Sequence, residues 1–273
     1  MSVIGEMLSY PFLVRALVGG VLVSLCAALL GVSLVLKRYS MIGDGLSHVS
    51  FGALSIALAM GWSPLQVSIP VVVIAAFFLL RITENSRLNS DAAIAVISAS
   101  ALAGGITVTA LTTGMTTDVS SYMFGSILAM SREDVLLSAI LSAVVLFLFI
   151  FFYHKVFAVT FDENFARATG VRVGWYHILF AVLTAVTIVL GMRMMGAMLI
   201  SSLIIFPALT AMRLFKSVRG VNLAAGVTAE VCFFAGLVIA YQASTPAGSS
   251  VVAVRLPAFL ARTVAPEPPW RCR

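Results

Sequence analysis

The run PFLVRALVGGVLVSLCAALLGVSLVL, Pro11–Leu36, carries the strongest evidence for the fold class of this chain. It is almost entirely apolar and exceeds the roughly 20 residues with which a helix crosses the hydrocarbon core of a bilayer. Short loops separate it from seven further apolar runs: Leu46–Gly61, Leu65–Ile82, Ala92–Leu111, Val135–Tyr153, Val173–Leu190, Met195–Leu214 and Val221–Gln242. Only helices and closed barrels satisfy the backbone inside a bilayer, and such runs are too long for barrel strands. The sequence therefore predicts an all-α, polytopic transmembrane helical bundle of about eight spans.

The composition leaves no room for a soluble domain. Hydrophobic residues make up 61% of the chain and charged residues only 10%, whereas a soluble protein carries roughly 25% charged residues on its surface. The net charge of +6 comes from cations at the ends of apolar runs. They form no basic stripe interleaved with aromatic side chains, so we expect no nucleic acid partner.

The distribution of cations predicts the orientation. Lys and Arg follow the odd-numbered spans: Lys37 and Arg38, then Arg81 and Arg87, then Lys155, Arg167 and Arg172, then Arg213, Lys216 and Arg219. The loops after the even-numbered spans carry few cations or have them offset by acids. Because cytoplasmic loops are enriched in Lys and Arg, the N-terminus is expected outside. The segment Val119–Met130 is too short to span and is interpreted as a short helix on the outer face.

The two ends of the chain need separate interpretation. The first apolar run is too long for a signal peptide and is preceded by Glu6, so a retained first span is expected. After Pro246, Arg255 and Pro257 interrupt a last apolar stretch, and a charge in mid-span costs about 3 kcal/mol. We therefore predict a transmembrane domain over residues 1–254 and an atypical tail over 255–273, disordered after Pro266. A ninth span is left open.

The segment GDGLSHVSFGA, Gly43–Ala53, contains the most informative side chains. Asp44 and His48 are four residues apart, so they project from one face of a helix. Ionisable groups inside a membrane usually line a pathway, and a carboxylate with an imidazole suits zinc, manganese or iron(II). Two ligands are too few for a closed site, but a two-fold dimer would bring four. The alternative is that Asp44 caps the helix, with Gly43 and Gly45 at the turn and His48 satisfied in the bundle.

The loop FDENFARATGVRVG, Phe161–Gly174, predicts a short helix outside the membrane. Asp162 and Glu163 open it, Phe165 and Ala166 give it an apolar face, and Gly170 ends it. Such a helix requires a partner surface. The alternative is a helix lying on the lipid headgroups, which its small apolar face makes less favourable.

Other residues permit several interpretations. Pro207 kinks the seventh span and is a candidate to line a path, and Glu230 has either an ion-conducting role or a hydrogen bond to another helix. Methionines near Met195 are expected to fill gaps, and His154 and His177 to lie at the interface. None of the lysines follows a glycine, so the chain contains no P-loop. If ATP drives this protein, another chain binds it.

The segments GDGLSHVSFGA and FDENFARATGV resemble those of the metal-uptake class of ABC importer permeases. SYMFGSILAMSRED, Ser121–Asp134, and GMRMMGAMLISSLIIFPALTA, Gly191–Ala211, are similar to two further segments of that family. The similarity extends over roughly Leu13–Ser250, with the motifs in the family's order. Thr245–Gly248 still match the family, but the sequence from Arg255 onward departs from it.

The resemblance implies a transport subunit without its own ATPase, in the bacterial cytoplasmic (inner) membrane. It implies that Asp44 and His48 coordinate the transported zinc, manganese or iron, with no permanently bound cofactor. The coupling helix would comprise Asp162, Glu163, Phe165, Ala166 and Gly170. Implied partners are cytoplasmic ATP-binding subunits, an extracytoplasmic metal-binding protein and a second permease copy.

Three other functions are alternatives for a chain of this kind. An ion-coupled secondary transporter would use Glu230 or Asp44, but that class typically has paired broken helices in inverted halves, and the sequence contains no such duplication. A permease for a larger chelate, such as a siderophore or cobalamin, would not need Asp44 and His48. An intramembrane enzyme would need a His-Glu-x-x-His or paired-aspartate motif, and no span contains one.

Overall fold

The computed structural model describes residues 9–85, 90–112, 132–197 and 199–264, and every regular element in them is a helix. We number these helices α1 Pro11–Leu36, α2 Ile42–Ala59, α3 Pro64–Asn85, α4 Ser90–Thr112, α5 Arg132–Phe151, α6 Tyr153–Phe161, α7 Glu163–Ala168, α8 Val173–Met195, α9 Ile200–Leu214, α10 Val218–Ala243 and α11 Ala247–Val264. Each of the eight predicted apolar runs is helical over most of its length. The segment Val119–Met130 lies outside the described residues.

The apolar helices confirm the predicted polytopic bundle. Six of them, α1, α2, α3, α4, α8 and α10, are long and apolar enough to cross a membrane. Helices α5 and α6 form one further candidate span, which bends by 69° at Phe152. The predicted orientation of the N-terminus stays a prediction.

Helix α1 lies at the centre of the bundle and packs against α5, α8, α9 and α10. Small residues allow this close packing, because lipid offers apolar side chains as good an environment as another helix does. A Cβ atom on Gly31 would overlap the backbone carbonyl of Ile204 in α9. Met194 and Met195 are buried in the same core, as expected of residues that fill gaps.

The predicted span Met195–Leu214 needs a correction at its start. Gly196 adopts a φ of 93° and ends α8, and α9 begins only at Ile200. A φ in this range is easily accessible only to glycine, so the chain breaks here between two helices. The span is therefore shorter than the apolar run that predicted it.

The end of the chain forms a ninth long helix where the sequence left the question open. Helix α11 runs through Arg255 and Pro257 and packs against α9 and α10. The predicted boundary between residues 254 and 255 falls inside this helix. Arg255 is only 2% exposed, so the charge points into the bundle instead of ending the helix. The predicted disorder after Pro266 concerns residues outside those described.

Candidate metal site and coupling helix

Helix α2 begins earlier than the apolar pattern predicts, and this places Asp44 inside the helix. Met41 is the N-cap residue and makes no side-chain cap hydrogen bond. Asp44 lies in the first helical turn, where its negative charge is stabilised by the positive end of the helix dipole. The interpretation of Asp44 as the cap is therefore wrong, and its carboxylate remains available.

Asp44 and His48 lie side by side, one helical turn apart. The Nε2 atom of His48 is 3.7 Å from Oδ2 of Asp44, and the two side chains are 12% and 35% exposed. The other ring nitrogen of His48, Nδ1, is buried and has no hydrogen-bond partner among the described residues. A buried polar atom without a partner costs about 1–3 kcal/mol. The described part of the chain therefore leaves His48 unsatisfied, contrary to the interpretation of a satisfied core histidine.

The glycines of this segment mark close helix packing, and the interpretation that they mark a turn is wrong. A Cβ on Gly43 would lie 2.9 Å from Cδ1 of Ile204 in α9, and one on Gly45 would lie 2.6 Å from Cγ2 of Ile94 in α4. Helix α2 is thus held between α4 and α9. Both neighbours approach at the level of Asp44, which fixes the helix face that carries the pair.

The pair has no third ligand from this chain within the described ranges. No group of three or more His, Cys, Asp and Glu side chains is close enough there to hold a metal ion. Carboxylate oxygen and imidazole nitrogen are nevertheless the donor types that zinc and manganese accept. An open, incomplete pair is suited to an ion that passes through and has to leave.

The predicted short helix after Phe161 is confirmed as α7. The Asp162 carboxylate accepts a 2.9 Å hydrogen bond from the backbone N–H of Phe165, which caps the helix. Gly170 follows its end with a φ of 80°. Ala166 is buried against Val159 and Val173, whereas the Phe165 ring is 63% exposed. Thus one side of α7 packs against the rest of the protein, and the other side presents an exposed aromatic ring.

A polar network ties α7 to two long helices. Oε2 of Glu163 lies 3.6 Å from Nε2 of His177 in α8. The same nitrogen lies 3.2 Å from Nζ of Lys37 at the end of α1, and Glu163 also pairs with Arg167. The sequence predicts His177 at the interface and gives no sign of these contacts. Its separation from Lys37 by 140 residues leaves no local signal of this contact.

The other two candidate residues lie elsewhere in the bundle. Pro207 is buried inside α9. Glu230 lines a cavity of about 550 Å³ together with Leu25, Leu29 and Val227, and neither Asp44 nor His48 contributes to that cavity. The structure thus keeps Glu230 apart from the acid–imidazole pair. A role for Pro207 and Glu230 in lining the path stays a prediction.

These features define a multi-pass α-helical membrane protein with an intramembrane acid–imidazole pair and a short helix outside the spans. The family model described as the ABC 3 transport family matches residues 9–265. The chain therefore belongs to this family.

Named relatives are similar along most of their length. The "High-affinity zinc uptake system membrane protein ZnuB" of Haemophilus influenzae is 28% identical over 89% of this chain and 93% of its own. The "Manganese import system permease protein ScaB" of Streptococcus gordonii is 29% identical over 92% of this chain and 90% of its own. The structure "PsaBC from Streptococcus pneumoniae in complex with Fab" aligns with a TM-score of 0.86 at 30% identity, covering 97% of this chain and 96% of that one.

Proposed function

We propose that this chain is the membrane-spanning subunit of an ATP-binding-cassette importer that moves a divalent transition metal, zinc or manganese, into the cytoplasm. The observation that carries the proposal is the Asp44–His48 pair, with a buried ring nitrogen that nothing in the described chain satisfies. Family membership and the zinc and manganese relatives support the same cargo. The membrane is the bacterial cytoplasmic (inner) membrane.

The chemistry of the pair favours a cation over an anion or a bulky chelate. The Asp44 carboxylate supplies negative charge, and a His48 ring nitrogen supplies a lone pair. Zinc, manganese and iron(II) all accept this combination of donors. The pair alone does not choose among these metals, so we assign that choice to a separate extracytoplasmic metal-binding protein.

A second copy of the chain would complete the metal site. Helix α4 packs directly beside α2, yet its own surface is largely exposed, including Val96, Ile106 and Leu111. Most homo-oligomers are two-fold symmetric, so two copies meeting along this helix would contribute the same residues from each side. Two Asp44–His48 pairs would then supply four ligands, enough to replace water ligands of an ion for a short time.

Energy for transport comes from separate cytoplasmic ATP-binding subunits, since no lysine in this chain follows a glycine as a P-loop requires. Helix α7 is the surface that docks on them. The Phe161 ring just before α7 and the Phe165 ring on α7 are exposed, while Ala166 and the Glu163–His177 contact fix α7 to the bundle. Movement of the ATPases is thereby passed to α1 and α8.

The decisive experiment is ATP-dependent uptake into liposomes that contain this chain together with its co-expressed ATPase. We expect radioactive zinc or manganese to accumulate in the liposomes only when the ATPase of the assembled complex is supplied with ATP. Uptake driven by a proton or sodium gradient without ATP would identify a secondary transporter. Transport of a metal chelate but not of the free ion would identify a chelate permease.

A further inference from the structure

A basic cavity lies beside the coupling helix, apart from the metal site. It has a volume of about 380 Å³ and is lined by Lys155 of α6, Arg172 and Trp175 at the start of α8, Tyr176, and the turn Thr169–Val171. Both cationic side chains are exposed. Within the described part of the chain, neither Lys155 nor Arg172 forms an ion pair with an acid.

The cavity lies at the level where two apolar segments end. The apolar face of α5 ends at Phe151, just before the bend to α6, and the apolar run of α8 begins at Val173. Lys155 and Arg172 lie immediately beyond these points. Trp175 is 55% exposed, and tryptophan rings of this kind are enriched where lipid headgroups meet the hydrocarbon core.

An exposed apolar surface continues from the cavity along α5. Leu136, Ile140, Val144, Phe147 and Phe151 recur every three or four residues and are all exposed. Phe151 contacts Phe152 with ring centroids 4.9 Å apart, and Phe152 contacts the Trp175 ring at 6.0 Å. An aromatic cluster therefore joins the basic cavity to a stripe long enough for acyl chains.

We propose that this cavity binds the phosphate headgroup of an anionic membrane phospholipid, whose acyl chains lie along the exposed face of α5. Two cations at the headgroup level attract anionic lipid. The Thr169 hydroxyl already donates to backbone carbonyls of α7, so Lys155 and Arg172 are the residues that bind the phosphate. Gly170 has open space where a side chain would stand, which leaves room for the headgroup.

The continuity with α5 favours a lipid over an acidic surface of a protein partner. An acidic protein surface would contact the two cations but would find no polar groups on the adjoining apolar stripe of α5. The acyl chains of a lipid match that stripe. Lipid bound here would touch the turn that follows α7, so it would also steady the end of the coupling helix. The site does not depend on which ion the transporter carries.

The test uses fluorescence quenching of Trp175 in the full-length chain. The chain has three tryptophans, and replacing Trp62 and Trp270 with Phe leaves Trp175 as the only reporter. This protein is reconstituted in phosphatidylcholine with increasing fractions of phosphatidylglycerol or phosphatidylcholine brominated in the upper acyl chain. We expect phosphatidylglycerol to be preferred at the Trp175 site by roughly tenfold.

The Lys155→Gln/Arg172→Gln variant should reduce this preference to about one, that is, to no preference for the anionic lipid. A matched variant, Arg81→Gln/Arg213→Gln, removes two exposed cations elsewhere and should retain the preference. Equal quenching by both lipids in the parent, or an unchanged preference in Lys155→Gln/Arg172→Gln, would overturn the proposal.

Two further measurements distinguish a bound lipid from free phosphate and from the ATPase as the occupant of the cavity. Inorganic phosphate added at the same ionic strength as a chloride control should not displace the lipid, and displacement would assign the cavity to free phosphate. The complex with the co-expressed ATPase should keep the lipid preference. Loss of the preference in that complex would assign the cavity to the docking surface. None of these measurements requires transport, so they fail or succeed independently of the proposed cargo.

Discussion

At the scale of single residues, the state of His48 sets the chemistry of the site. One ring nitrogen lies near a carboxylate and the other is buried without a partner in the described chain. Desolvating a polar group without a partner is unfavourable, and a low-dielectric surrounding strengthens its attraction to any ion that arrives. Asp44, one third exposed, keeps contact with water from which an ion can come.

Removing either donor should stop transport. We expect Asp44→Asn and His48→Gln each to lower the initial rate of ATP-dependent zinc or manganese uptake by at least about tenfold, the effect of losing about 1.4 kcal/mol of ion binding. Both changes keep the side-chain size nearly constant, so binding of the ATPase should not change. Asp91→Asn, an exposed acid in the first turn of α4, is the control with the same loss of charge. Normal uptake in both Asp44→Asn and His48→Gln would remove the metal site assignment.

At the scale of helices, the packing of α2 against α4 holds the site in place. Gly52 lies where a Cβ would come within 2.8 Å of the Ala101 carbonyl oxygen, whereas a Cβ on Gly104 would meet no atom within 4 Å. We expect Gly52→Ala to push the helices apart and cost about 1–3 kcal/mol. Gly104→Ala should be neutral or stabilise by up to about 1 kcal/mol.

Thermal unfolding in detergent measures this difference directly. A clear drop in the unfolding temperature is expected for Gly52→Ala only. If both variants unfold at the same temperature as the parent, the α2–α4 contact is looser than the structure has it, and this contact does not hold Asp44 and His48 in place.

Helix α7, the proposed coupling helix, has two faces with different contacts. Phe165 is exposed and suited to dock on the ATPase, whereas Glu163 contacts His177 and, through it, Lys37. We expect Phe165→Ala to weaken co-purification of the ATPase. We expect His177→Ala to leave co-purification intact but to lower the number of metal ions transported per ATP hydrolysed by several-fold, because α7 would no longer move together with α1 and α8.

His154→Ala is the matched control, since His154 is an exposed histidine on neighbouring α6. It should change neither co-purification nor the transport ratio. A His177→Ala variant with an unchanged ratio would show that the contact with Glu163 has no part in coupling.

The sequence predicts elements of this fold well where the bilayer itself imposes the pattern. The apolar runs are largely helical because, of the two structures that satisfy a backbone in lipid, only the helix suits runs of this length. Helix ends are less predictable, because α2 begins at Ile42 among glycines whose role is packing against α4 and α9. The pair Asp44–His48 follows from a four-residue spacing, whereas the Lys37–His177–Glu163 network joins distant parts of the chain and leaves no local pattern.

At the scale of the whole molecule, Arg255 connects the last helix to the centre of the bundle. Its Nη2 atom donates to Oγ of Ser24 in α1 at 3.1 Å and to the carbonyl oxygen of Ala229 in α10 at 3.3 Å. Its Nε and Nη1 atoms have no hydrogen-bond partner among the described residues. In the sequence, Arg255 is evidence against a ninth span. In the fold it contacts two other helices, and two of its nitrogen atoms lack hydrogen-bond partners among the described residues.

The partly buried Glu230 on α10 carries the opposite charge and interacts with Arg255 electrostatically, without a direct ion pair among the described residues. Breaking a buried pair by removing one partner is costly, whereas replacing both partners with uncharged groups is often neutral or stabilising. We expect Arg255→Met alone to lower the unfolding free energy by about 1–3 kcal/mol, and the double variant Arg255→Met/Glu230→Gln to recover most of that loss. The measurement is thermal unfolding of the four members of the double-mutant cycle. Additive effects would mean that the two charges do not interact, and the burial of Arg255 would then rest on its contacts with Ser24 and Ala229 alone.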